Sequence, residues 1–449
     1  MSESDVPAVD GLPVVGNAVG MVRDPWGFTE RAAAQGDVVR MRMLRREPYL
    51  VTHPDAVRRI LLTDSERYRK ADVLSESLAG IADTAVIAAE GDRWRRIRSA
   101  LEPAFDARTV SNLAEGVVAE TERHVDGWAD GQRIDAGREA RALTGSLLGA
   151  ALFDDGYDAL SAATDGLVAA MADRFEMPAL FVPDWVPTRT NRRFDAAADR
   201  FERAVDRAMA DQRAEGNDPR PTDESRSAGL DVLETLVTAA EEGRLSDREV
   251  KDQLFTLLFA GHGPAATGLE FAWFSLATTP AAADELAREV DELEDEPSLA
   301  APGPDSYVAS VVDETLRLYP PVFELWREPT EDVTLRGYEV PAGTELMLPT
   351  YTIHRDERWW DEPETFRPER WAEGDVPARE CAYVPFGAGP RTCIGRRLAT
   401  LQLRLAVATI ARRYRFELAP GQSPDPDLGL STTLSPSDPI ELVVRERSD

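Results

Sequence analysis

The sequence predicts a mainly α-helical fold with a small β region, and three observations carry that prediction. Apolar positions recur at helical spacing over most of the 449 residues. Period-two alternation is confined to short segments near the start and again around 333–348. No internal repeat is present, and the polar stretches between helical runs are flanked by equally helical pattern, so a single domain spanning 1–449 is expected.

In chain order, residues 1–10 carry no apolar periodicity and are expected to form a flexible tail. VVRMRML at 38–44 and PYLVT at 48–52 alternate as strands do. Two Pro- and Gly-bearing stretches, 213–229 and 291–306, are expected to be surface loops. Between them, Ser246 and Glu249 have the spacing of a capping box, and the helix they start is expected to run to Thr279, just before Pro280. Such a helix is roughly 50 Å long at 1.5 Å per residue, enough to cross the molecule. In its middle lies FAGHGPAATG, residues 259–268. Pro264 cannot donate to the Ala260 carbonyl, and Gly261 and Gly263 remove side-chain bulk, so a kink with an open groove is expected there. VTLRGYEVPAGTELML at 333–348 returns to strand-like alternation.

Composition excludes several function classes. The hydrophobic fraction of 43% is ample for a large core. Asp and Glu outnumber Lys and Arg by 81 to 51, a net charge of −30, which disfavours nucleic acid as a partner. Lys70 and Lys251 are the only lysines. A large acidic excess suits a protein kept soluble in concentrated salt, whereas a GC-rich genome would account for arginine in place of lysine but not for the charge. No basic-then-apolar leader and no run of about 18 apolar residues occurs, so a soluble, cytoplasmic protein without a membrane anchor is expected. Cys381 and Cys393 are too few for a disulfide framework and form no CxxC pair.

Chemistry concentrates near the C-terminus, in AYVPFGAGPRTCIGRRLATLQLRLA, residues 382–406. Gly387 and Gly389 permit a tight turn, Arg391 adds a cation, and Cys393 is expected at the start of a helix running through Leu405. A thiol at a helix N-terminus beside arginine is favoured as thiolate, the ligand a soft metal centre requires. Cys381 fits a buried structural role better.

FGAGPRTCIG resembles the signature of the cytochrome P450 haem-thiolate family, with Phe386, Gly389, Arg391, Cys393 and Gly395 in its key positions. The resemblance extends from GLPVVGN at 11–17 to the last residues and implies the cytochrome P450 fold, with a long central helix over haem b. It implies Cys393 as proximal iron ligand, with Gly387 and Gly389 letting amides bond the sulfur and Phe386 shielding it. ETLR at 314–317 and FRPERW at 366–371 supply Glu314, Arg317 and Arg370, similar to the family's structural Glu–Arg–Arg network. GDRWRRIR at 91–98 and ELWREP at 324–329 resemble the segments whose Trp94, Arg98 and Arg327 face the haem propionates. His354 reads as structural. Substrate contacts are implied for 77–87, for Val322, Phe323 and Leu325, and for Thr433 within 431–434, a mostly apolar lining in which Glu324 suits a polar or cationic group.

The match fails at one place. The family's acid–alcohol pair, which relays protons toward dioxygen, is replaced here by Gly263 and Pro264. Together with Ala260 and Gly261 they leave space but carry no proton; Thr267 lies one turn further on, and His262 is the other group that could relay. Three functions therefore compete: a monooxygenase taking electrons from a ferredoxin-type partner, a peroxide-using enzyme, and a haem-binding sensor or carrier without turnover. Arginines in RWRRIR and at Arg396, Arg397 and Arg404 suit an acidic electron donor, unless they serve propionates and internal carboxylates instead. The substrate is expected to be a small apolar organic molecule and the protein a monomer.

Overall fold

The computed structural model describes residues 6–71, 82–152, 188–216, 232–292, 303–372, 381–430 and 433–447, with isolated residues at 160–170, 186 and 230. Six helices position the site: α1 (Pro25–Ala33), α2 (Gly91–Leu101), α3 (Ala136–Leu152), α4 (Asp247–Thr278), α5 (Tyr307–Leu318) and α6 (Arg396–Arg413). The central helix α4 begins as its sequence dictates: the Ser246 hydroxyl accepts from the Glu249 amide while the Glu249 carboxylate accepts from the Ser246 amide. It then runs unbroken through Pro264. α3, α5, α6 and the C-terminal sheet all pack against it and support the helical hydrogen bonding on either side of the proline. Close approach depends on small residues. A Cβ on Gly261 would stand 3.0 Å from Leu148 on α3, and one on Gly268 would stand 3.2 Å from Leu403 on α6.

The main sheet has the order β1 (Val38–Arg40), β2 (Tyr49–Val51), β8 (Leu346–Leu348), β5 (Leu325–Pro329), β3 (Tyr68–Arg69), with only β2 and β8 parallel. Its alternation divides two cores: Val38, Val51, Leu346 and Leu348 face one, whereas Val39, Leu50 and Met347 face Phe28 of α1 in the other. A second sheet, β4 (Arg133–Asp135), β12 (Glu441–Glu446), β9 (Tyr414–Leu418), and two ribbons, β6 (Val333–Leu335) with β7 (Tyr338–Val340) and β10 (Leu428–Leu430) with β11 (Leu434–Pro436), complete the β region.

Three boundaries differ from expectation. Pro7 and Val9 exchange backbone bonds with Arg40, so the chain from 7 onward is no free tail; it satisfies the open edge of β1. The helix beginning at Arg189 continues to Gly216, four residues into the stretch expected to be loop, where Arg213 is anchored by Asp247. The helix after the cysteine begins at Arg396, with Gly395 as N-cap, and extends to Arg413.

Candidate active site

The cysteine turn is built by backbone alone. Gly387 and Gly389 both have positive φ, 67° and 72°. At Gly389 a side chain is excluded twice over, since its Cβ would lie 1.9 Å from the Leu61 carbonyl oxygen. The turn closes when the Cys393 amide donates to the Phe386 carbonyl at 2.9 Å. The amides that reach the sulfur are those of Gly395 and Arg396, not those of the earlier glycines: the Gly387 amide donates to the Val384 carbonyl at 3.0 Å. The Cys393 thiol retains accessible surface although protein surrounds it, so it faces an enclosed space rather than bulk water. Burial pushes the thiol up, against the opposing pull of those two amides and of Arg98 and Arg396. The expected thiolate therefore does not follow from protein surroundings alone; a coordinated cation would have to deprotonate the sulfur. Cys381 is 3% exposed within the second core, as a structural cysteine should be.

Around one edge of this space stand cations. Arg391 pairs with Glu90, donates to the Ala89 carbonyl at 3.2 Å, and lies over the Trp94 ring at 4.7 Å. Arg98 donates to the Thr392 carbonyl at 2.9 Å, tying α2 to the cysteine turn. Arg327 is 8% exposed and, among the described residues, has no carboxylate partner; its guanidinium bonds the Trp326 carbonyl at 2.8 Å. Burial and Arg391 pull Arg327 down to about 10. Lys70, which donates to the Val86 and Ile87 carbonyls, is pulled down to about 7 by burial and by Arg391, Arg327 and Arg98. Glu90 pairs with Arg391 and the more exposed Glu102 with Arg98 at 3.2 Å, which leaves buried Arg327 and Lys70 without a carboxylate ion pair among the described residues, a costly arrangement without further anions. A flat metal complex bearing two carboxylates fits this donor set: a sulfur for the metal and cations for the carboxylates. Sequence reasoning missed Lys70 and Glu90; the available signal was the rarity of lysine.

On the opposite side, α4 opens. Residues 252–256 and 265–276 are buried, whereas 259–264 retain accessible surface in the middle of the helix, with Ala260 exposed. A Cβ on Gly263 would meet only the Thr433 methyl, at 3.6 Å. His262 turns the other way: a Cβ on Gly145 of α3 would stand 3.2 Å from its ring. Thr267 is buried, and its hydroxyl donates to the Leu434 carbonyl at 3.1 Å and lies 3.3 Å from the Thr433 hydroxyl. Neither residue presents a free proton carrier beside Gly263. Thr267 is thus set apart from the space-lining residues, its polarity engaged in docking the C-terminal ribbon.

The remaining wall comes from the segment before β5. The Pro321 carbonyl accepts from the Leu434 amide at 3.0 Å, and Leu325 stands 3.9 Å from the Cβ position of Gly387. Val322 is 40% exposed, and Phe323 packs edge-on against Trp26 of α1 at 5.3 Å. Thr433 therefore lies beside Gly263 of α4 and Leu325 beside Gly387 of the cysteine turn, whereas Phe323 packs toward α1 and Val322 is exposed. Residues 77–81 and 431–432 lie outside the described residues.

Glu314, Arg317 and Arg370 meet in full burial. Arg317 binds Glu314 bidentately at 2.9 and 2.8 Å, Arg370 donates to it at 3.0 Å, and the Trp371 indole adds a bond at 2.9 Å. These donors hold the Glu314 carboxyl below its ordinary range despite burial. His354 relays the network to the cysteine turn. Its Nε2 accepts from the Val384 amide at 2.8 Å, which fixes the proton on Nδ1, directed at the Arg317 carbonyl 3.2 Å away. Burial and Arg317 pull the ring down to about 3, so it is neutral.

The basic patch is smaller than the sequence suggested. Arg404 pairs with Asp313 and Arg96 with Glu249, which assigns both to internal carboxylates. Arg93, Arg396 and Arg397 are exposed and, among the described residues, form no ion pair.

A family model described as Cytochrome P450 matches residues 6–444. Cyclooctatin synthase of Streptomyces melanosporofaciens is 32% identical over 445 residues, covering 96% of this chain and 94% of that protein. Cyclooctat-9-en-7-ol 5-monooxygenase of the same organism is 31% identical over 437 residues, covering 92% and 90%. The solved structure of retinoic acid-bound cyanobacterial CYP120A1 matches with a TM-score of 0.81 over 99% of this chain and 100% of that one, at 22% identity, a likeness of fold. Among the described residues no helix is long and apolar enough to cross a membrane.

Proposed function

The chain belongs to the cytochrome P450 family, and on that premise we propose that it inserts oxygen into a small apolar organic substrate, with electrons from an acidic ferredoxin-type partner. It is an enzyme of the cytochrome P450 monooxygenase type. Haem b, which the family and fold bind, supplies the activation of dioxygen when bound. One observation carries the reading: an enclosed thiol in a glycine turn, with buried cations lacking sufficient anions at its edge.

Each residue then has a task. Cys393 is the proximal ligand, and the Gly395 and Arg396 amides temper its charge. Arg98, Arg327, Arg391, Lys70 and Trp94 would hold the propionates. Ala260, Gly261, Gly263 and Pro264 carry little side-chain bulk and would leave room for haem and oxygen, and Val322, Phe323, Leu325 and Thr433 would present apolar surface to substrate. Arg93, Arg396 and Arg397 form the cationic surface on which an acidic donor would dock. The peroxide-driven alternative gains nothing from the relatives, one of which is described as a monooxygenase.

The test is spectroscopic. The reduced protein with carbon monoxide should show the red-shifted Soret band of thiolate ligation, and Cys381→Ser should keep it. Retention of that band in Cys393→Ser would show the assignment of the ligand to be wrong.

A further inference from the structure

Three aromatic rings meet beside two carboxylates where the chain leads into the cysteine turn. Tyr383 precedes Phe386 by three residues, at most about 11 Å of chain, and the Phe386 carbonyl accepts from the Cys393 amide at 2.9 Å. The Trp371 ring meets the Tyr383 ring edge-on at 4.6 Å, and Trp360 lies 5.9 Å from Trp371 and 6.4 Å from Tyr383. The Tyr383 hydroxyl stands 3.0 Å from Asp313 Oδ1 and 3.1 Å from the Asp313 carbonyl, and the Trp371 indole donates to Glu314 Oε2 at 2.9 Å. Trp371 keeps accessible surface. Trp360 is buried, its indole nitrogen has no hydrogen-bond partner among the described residues, and the Arg317 guanidinium lies over its ring at 5.0 Å.

We propose that Tyr383 and Trp371 form an electron relay that reduces the haem when hydrogen peroxide has oxidised it with no substrate in reach. A phenol gives up an electron readily only where a base takes its proton, and Asp313 Oδ1 is that base. Burial and Asp313 push the phenol well above its ordinary range, so Tyr383 holds its proton until it is oxidised. Cleavage of the peroxide O–O bond releases one water and leaves the haem centre two electrons oxidised. Tyr383 returns one electron: its O–H bond breaks, the electron goes to the haem, the proton goes to Asp313, and a neutral phenoxyl radical remains. Trp371 passes an electron to the phenoxyl, which retakes the proton, and the half-exposed indole is refilled by a soluble one-electron reductant such as ascorbate. A second passage, with two protons from solvent, restores the resting haem and releases the second oxygen as water. The route leaves through Trp371 and not Trp360 because the charge beside Trp371 is a carboxylate, whereas a guanidinium over Trp360 opposes a positive hole there.

The test mixes the haem-loaded protein with hydrogen peroxide in the absence of substrate, freezes it within milliseconds and reads radicals by electron paramagnetic resonance, with ring-deuterated tyrosine incorporated to identify a tyrosyl signal by its narrowing. A tyrosyl radical should form and should be lost in Tyr383→Phe, which removes only the hydroxyl. Tyr307→Phe should keep it, although the Tyr307 phenol also donates to a carboxylate, that of Glu369 at 2.7 Å. Asp313→Asn, which removes the base, should weaken the signal, and Trp371→Phe should prolong it because the phenoxyl is no longer refilled. With ascorbate present, peroxide should bleach the haem faster in Tyr383→Phe than in the unmodified protein. Retention of the reduced carbon monoxide band in each variant shows that the haem site is intact. A tyrosyl signal unchanged in Tyr383→Phe, an unchanged lifetime in Trp371→Phe, or no tyrosyl signal in either the unmodified protein or Trp371→Phe overturns the proposal. Since the relay requires bound haem but no oxygen insertion, each of these outcomes leaves the proposed function standing.

Discussion

Glu270 shows how one residue on the central helix couples protonation to folding. It is 4% exposed and sits against the first turn of α3, where a Cβ on Gly137 would lie 2.7 Å from its Oε1. Burial, reinforced by Asp135 and opposed by Arg141, pushes its carboxyl up to about 7. A carboxyl raised in the folded state favours the protonated form there. The unfolded chain releases that proton near its ordinary value of 4.5, so stability falls as pH rises between 4.5 and about 7, and the full penalty applies above that window. Glu270→Gln should therefore stabilise the protein at pH 8 by up to about 3 kcal/mol, at 1.36 kcal/mol per unit, and have little effect at pH 4. Urea unfolding of both proteins at the two pH values checks this; an equal effect at both would assign the change to packing. At this scale legibility was uneven. Cys393, Glu314, Arg317 and Arg370 could be found because short motifs carry them. For Lys70 the rarity of lysine was the one signal, and for Glu90 there was none, because only the folded chain brings them to Arg391; the protonation of Cys393 depends on burial that spacing does not reveal.

At the scale of elements, the central helix combines a legible origin with an illegible path. Ser246 and Glu249 set its start locally, whereas the continuation of the helix past Pro264 is supported by packing against α3, α5 and α6, which no local pattern encodes. The same helix carries the departure from the family pattern. Gly263 and Pro264 offer no proton, His262 faces α3, and the Thr267 hydroxyl is bonded to Leu434. Delivery of protons is a general-acid task, and its absence should let reduced oxygen escape as hydrogen peroxide before it reaches substrate. The unmodified protein should therefore couple poorly, with much of the electron flow from a surrogate ferredoxin recovered as peroxide. Gly263→Asp with Pro264→Thr should raise the share of electrons found in product. The geometry tolerates both changes: the Cβ position of Gly263 is open apart from Thr433, and threonine restores an amide donor to the Ala260 carbonyl. Tight coupling in the unmodified protein, lost on changing His262 or Thr267, would show that a relay exists where the structure places none.

At the scale of the whole molecule, charge is the dominant unbalanced quantity. The chain carries −30, while its 51 basic residues are almost all arginine. Many are committed locally: Arg46 to Glu345, Arg336 and Arg358 to Asp37, Arg447 to Asp291. Such surface pairs contribute little each and less in salt. What remains is an acidic excess whose mutual repulsion acts against compactness over distances set by ionic strength, about 10 Å at 0.1 M and about 3 Å at 1 M. If that repulsion governs stability, potassium chloride between about 0.1 M and about 2 M should raise the thermal unfolding midpoint steeply. Most of the gain should fall below about 1 M, where screening changes fastest, and a non-ionic osmolyte at matched osmolality should not reproduce that early rise. The two effects of salt oppose each other in sign, since weakening ion pairs lowers the midpoint and screening the excess raises it, so the slope reports which wins. A flat or falling profile would mean that the local pairs offset the excess, and the arginine-rich, lysine-poor composition would then trace to a GC-rich genome rather than to life in concentrated salt.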